Sequence, residues 1–111
     1  MKKWIGYDID RLSPSTTGLN YSVLVVANRY FVMPIIKVLV EGDNGQIFTI
    51  EKPVRCVYEC SVLFSESDIV QIKQWIEMNR KTLLEYWNGD IDTSEMVGKL
   101  QKILIYEHNN P

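Results

Sequence analysis

One histidine, His108, and two cysteines, Cys56 and Cys60, are the only soft metal ligands in 111 residues. A zinc site draws on three or four such ligands, so zinc is disfavoured from the outset. The chain also lacks a Gly-rich phosphate loop, a nucleophile elbow and any local pairing of Cys with His, the motifs that announce phosphoryl or acyl transfer. Catalysis would have to rest on acidic residues gathered by folding. No apolar run approaches the roughly 20 residues needed to cross a bilayer. The opening MKKWIGYDID has the lysines of a signal peptide, but Asp8, Asp10 and Arg11 interrupt any apolar core. A cytoplasmic location is therefore expected. Charge of one sign is missing too: 12 basic against 14 acidic side chains leave a net charge of -2. That balance offers no electrostatic reason for tight binding to a phosphate backbone. Arg29, Lys37, Lys52 and Arg55 are the one set that folding could bring into a basic patch, against a favoured reading of scattered, solvated charges.

What is present is an ordinary globular composition, 46% hydrophobic and 23% charged, in a length that fits one domain. The cysteines sit in VRCVYECSV, where Val54, Cys56, Tyr58, Cys60 and Val62 alternate with Arg55, Val57, Glu59 and Ser61. Period two predicts a strand. Four residues along a strand separate Cα atoms by roughly 13 Å, about twice the reach of a disulfide. Two buried, reduced thiols are expected, in keeping with a reducing compartment.

Residues 65–89 carry the clearest local signal. Ser65 and Asp68 read as a capping box, and Ile69, Ile72, Ile76, Leu83 and Trp87 recur at helical steps, with Trp75, Leu84 and Tyr86 widening the stripe. Gly89 supplies the left-handed stop. Upstream, Ile5, Tyr7 and Ile9 alternate with polar residues as a first strand, and 12–20 reads as a loop. Tyr21 to Ala27 is apolar on both faces, as in a central strand. Pro34 marks the start of a strand over Ile35 to Val40, 41–45 a turn, and Gln46 to Ile50 the returning strand. Asp92 or Thr93 caps a second helix with Met96, Val97, Leu100, Ile103 and Leu104 on one face. Strands first and helices last predict an α+β fold: a small antiparallel sheet of four to five strands, packed on one face by two C-terminal helices. The domain is expected to span 1–106, followed by a frayed polar tail over 107–111.

The spacing W-x-x-x-N-R-x-x-L-x-x-x-W formed by Trp75, Asn79, Arg80, Leu83 and Trp87 resembles the C-terminal helix of a bacterial family, the domain of unknown function 4160. MPIIKVLVEGD at 33–43 and FTIEKP at 48–53 fall where that family has a proline followed by a His-x-His strand, and its next strand. The matching segments cover about half the chain. The resemblance implies a compact α+β domain of bacterial origin, often encoded beside toxin and antitoxin or mobile-element genes. Ile35, Ile36 and Lys37 stand where the family's histidines would be, so no catalytic residue carries over.

Among candidate sites, Asp8 and Asp10 could place two carboxylates on one strand face and hold magnesium, although solvated strand-end acids are the favoured reading. Asp43 and Glu51 could join them. Arg80 could reach a carboxylate such as Glu51 or Glu77, or a partner, while Asn79 more naturally satisfies neighbouring backbone. Trp75 and Trp87 either line the sheet-facing side or anchor a partner. No cofactor is expected. The leading expectation is a non-enzymatic protein-binding or assembly module, self-associating or engaging another protein through Trp75, Asn79, Arg80 and Trp87 or a sheet edge. The alternative is a small metal-dependent hydrolase or nuclease using acidic residues.

Overall fold

A meander of five strands is the frame of the molecule. In the computed structural model the described residues are 8–27, 33–41, 44–57 and 64–104. Strands β1 (Asp8–Leu12), β2 (Ser22–Ala27), β3 (Ile35–Glu41), β4 (Asn44–Thr49) and β5 (Cys56–Val57) lie in sequence order, each antiparallel to its neighbours. This is the antiparallel α+β arrangement expected from the chain. Pro34 lies just outside β3, where its missing amide removes no rung. The expected start of the first strand, with Ile5 and Tyr7, and the tail beyond 104 lie outside the described residues.

Between β1 and β2 the chain forms a one-turn helix, α1 (Pro14–Thr17), where a loop was expected. Pro14 occupies the first turn and Gly18 closes it at φ 84, the favourable order for both residues. Gly18 has a second reason to lack a side chain, because a Cβ there would meet the Ile103 carbonyl.

Helix α2 (Glu66–Trp87) begins with the anticipated capping box: the Ser65 hydroxyl accepts from the Asp68 amide, and the Asp68 carboxylate accepts from the Ser65 amide. Gly89, at φ 79, follows its last turn. Its buried stripe, with Ile72, Trp75, Ile76, Leu83 and Tyr86, packs with Val23, Val25, Ile36, Val38 and Phe48 of the sheet in one core. Each aliphatic side chain removed from water there contributes about 1.5–3 kcal/mol. The Tyr86 hydroxyl pairs with Thr93 Oγ1 at 2.8 Å, joining the end of α2 to the start of α3 (Thr93–Lys99).

Two expectations are corrected. Helix α3 stops at Lys99, and Leu100 turns extended, with ψ 141, so the stripe expected through Leu104 breaks up. Met96 and Ile103 are buried, whereas Val97 and Leu104 are exposed. The second correction concerns the thiols. Cys56 is disulfide-bonded, and in a chain of two cysteines its partner is Cys60, itself outside the described residues. Among the described residues β5 holds only Cys56 and Val57, so the strand expected from Val54 starts later, and its continuation to Val62 lies outside them. The bridge also withdraws the support that reduced thiols gave to a reducing compartment. No helix among the described residues is long and apolar enough to cross a membrane.

Candidate functional site

The helix residues singled out from the sequence are committed to the fold. Trp75 is 0% exposed, so it presents no anchor surface, and its Nε1 has no hydrogen-bond acceptor. Asn79, also buried, donates through Nδ2 to the carbonyls of Trp75 and Gln101, both at 3.0 Å. Its Oδ1 accepts from the Gln101 amide at 2.7 Å, so one side chain grips both polar groups of one backbone unit. That grip draws the chain out of helix after α3. Arg80 meets neither Glu51 nor Glu77: its Nε donates to the Ile50 carbonyl at 2.8 Å, and its buried Nη2 has no hydrogen-bond partner among the described residues. Trp87 is partly buried at the end of α2.

Asp8 and Asp10 take alternate positions on β1, opposite Ala27 and Val25. Desolvation raises the Asp10 carboxyl above its ordinary value, opposed by a hydrogen bond from the Arg11 backbone. No group of three or more His, Cys, Asp or Glu side chains able to hold a metal occurs among the described residues. Asp43 lies outside them, and Glu51 is exposed in the turn after β4.

The side of the sheet away from the helices is the part of the described fold with no role so far. Cross-strand partners point to the same side, so the register can be followed across all five strands. Arg11 opposes Leu24, Leu24 opposes Lys37, Lys37 opposes Ile47, and Ile47 opposes Val57. These alternate with core positions such as Val23, Val25, Ile36, Val38 and Phe48, which face α2. At roughly 4.8 Å per strand the row is about 19 Å long. Flanking positions on the same side include Ile9, Val26, Ile35 and Leu39, of which Ile9 is 52% exposed and the others are buried. An antiparallel sheet with one solvated face normally puts polar residues there. Here aliphatic residues dominate, with cations between them.

A hollow lies at each end of the row. One, of about 180 Å³, is lined by Arg11, Tyr21, Ser22 and Leu39 among others. The second, of about 250 Å³, is lined by Met33, Thr49, Arg55, Cys56 and Val57. Beside the first, the Tyr21 hydroxyl donates to Asp68 Oδ2 at 2.8 Å, and its ring meets Phe64 edge-on with centroids 5.0 Å apart. Burial and then the Asp68 carboxylate raise the Tyr21 pKa.

Of the basic residues expected to gather, Lys37 lies along this side of β3, Arg55 lines the second hollow just before β5, Lys52 is exposed in the turn between β4 and β5, and Arg29 lies outside the described residues. Arg11, Leu24, Ile47 and Val57 were not anticipated as neighbours. Only the register brings them together.

No protein-family model matches this chain. Neither a curated protein nor a solved structure matches it at a significant level.

Proposed function

We propose that the protein is a non-enzymatic binding module that engages a protein partner through the helix-free side of its sheet. The supporting observation is the composition of that side: Leu24, Lys37, Ile47 and Val57 form a partly buried cross-strand row where a solvated sheet would be polar. Single exposed aliphatics are ordinary, but a continuous row ending in two hollows is a surface suited to burial. Among the described residues β1 stands at the border of the sheet, with β2 as its one strand neighbour. In this reading the module is bacterial and encoded near toxin and antitoxin or mobile-element genes, as a resemblance to the domain of unknown function 4160 implies.

A random peptide library displayed on phage tests the reading. Clones retained by the native protein and released by Leu24→Asp, with folding checked by circular dichroism, are the expected result. A library yielding no clone sensitive to Leu24→Asp or Ile47→Asp would remove the proposed surface.

A further inference from the structure

Independently of the sheet, we infer that Asn79 and Thr17 form a clamp for an extended peptide bearing a branched aliphatic side chain, and that the chain's own residues 100–104 fill this clamp in cis. The grip reads backbone. Asn79 Nδ2 donates to the Gln101 carbonyl at 3.0 Å, its Oδ1 accepts from the Gln101 amide at 2.7 Å, and the Thr17 carbonyl accepts from the Ile103 amide at 2.8 Å. One side chain is read as well: over 101–104 only Ile103 is sunk in the core, whereas Gln101, Lys102 and Leu104 are exposed. Gly18, lacking a Cβ, lets the Ile103 carbonyl pass close.

Both halves of the clamp are held without help from the segment they grip. Asn79 Nδ2 also donates to the Trp75 carbonyl at 3.0 Å, one turn back in the same helix, which fixes the orientation of the amide. Thr17 is fixed by α1. Its amide donates to the Ser13 carbonyl at 3.2 Å, its hydroxyl accepts from the Leu19 amide at 3.0 Å, and the Gly18 amide closes the turn on Pro14 at 2.7 Å. A site pre-organised by its own elements outlasts the departure of its occupant. The occupant, by contrast, is extended chain outside any helix or strand. A competing segment needs amide donors at its first and third gripped positions, which excludes proline at both, and a branched aliphatic side chain at the third. A free segment of a partner protein meets those terms. A second copy fits less well, because Leu100 alone separates α3 from the gripped Gln101, and one residue spans no more than about 3.6 Å.

The test uses the full chain and a blocked, fluorescein-labelled pentapeptide, Leu-Gln-Lys-Ile-Leu. In the native chain the tethered segment competes at an effective concentration of about millimolar, so the peptide binds weakly. Two substitutions loosen that segment: Ile103→Ala trims its buried side chain, and Gln101→Pro removes the amide proton accepted by Asn79, at an exposed position. Fluorescence polarisation should show the peptide binding each variant about tenfold or more tightly than it binds the native chain. N-methylation of the peptide at its glutamine amide should abolish the gain, and the side-chain amide resonances of Asn79 should shift on binding.

No gain in either variant, an equal gain for the N-methylated peptide, or Asn79 resonances that stay in place would overturn the inference. Unfolding of both variants, seen by circular dichroism, would overturn it too, since a clamp that collapses without its occupant is not a site. A dimer in sedimentation that displaces the peptide would overturn it in favour of a second copy.

Discussion

Replacing Asn79 by Ala should cost far more than the loss of one polar side chain in the middle of a helix usually does. The side chain makes three hydrogen bonds, two from Nδ2 to the carbonyls of Trp75 and Gln101 and one from the Gln101 amide to Oδ1. At about 1 kcal/mol net for each bond, the gross loss is about 3 kcal/mol. Gln101 is exposed, so water can re-satisfy part of its backbone, whereas the space left beside buried Trp75 cannot be filled so readily. A net loss of about 2–3 kcal/mol follows, equivalent to a fall of about 10 °C in melting temperature for a chain of this size. Urea midpoints, with the slope held constant, measure it. Asn79→Asp separates the contributions, because it keeps the acceptor for the Gln101 amide and removes both donated bonds. A loss below about half a kcal/mol in Asn79→Ala would refute the reasoning, since surface positions typically change by no more than that.

Truncating Ile76 or Leu83, each fully buried, to Ala should cost roughly 2–5 kcal/mol, against less than about half a kcal/mol for exposed Lys81→Ala; similar midpoints for all three would move the core elsewhere. Tyr21→Phe should cost about 1 kcal/mol at neutral pH through its bond to Asp68. Because the folded Tyr21 pKa is raised above 10.0, its contribution is complete below that pH and is lost as pH rises through the folded value. The stability gap between the native protein and Tyr21→Phe should therefore narrow in alkaline solution, and a gap that widened would contradict the assignment. Denatured without reductant, the protein should show no titratable thiol, and Cys56→Ser should cost roughly 2 kcal/mol for a loop this short; two free thiols would instead restore the extended strand.

The elements legible in the sequence are those decided within a few residues. The Ser65 and Asp68 capping box, the helical stripe through Leu83 and Gly89 as the stop are all local interactions, and each stands where the pattern put it. Pro14 and Gly18 were equally local signals for α1, but the surrounding Ser and Thr residues made the segment read as loop. The end of α3 was illegible for a different reason. Leu100 and Ile103 continue the helical period, yet a side chain from the middle of α2 captures the Gln101 backbone and ends the helix early. The cysteines show the limit of periodicity: alternation argues for reduced thiols on a strand from Val54, whereas Cys56 is disulfide-bonded and β5 starts only there. The candidate surface was least legible of all. Lys37 was visible as a cation, but its place between Leu24 and Ile47 depends on turn lengths and register, which fix partners far apart in the chain.

The bond from the Ile103 amide to the Thr17 carbonyl, at 2.8 Å, joins nearly opposite ends of the described chain. Every strand pairing among the described residues, by contrast, links strands adjacent in sequence. The described residues thus combine a meander of local pairings with long-range closures, this bond among them. Loop closure over so many residues is entropically the slowest contact to find, so hairpins can assemble before the segment carrying Ile103 docks. The same segment should be the first to open in the native state. Amide exchange at Gln101 and Ile103 would then proceed through a partial unfolding that leaves the strands protected.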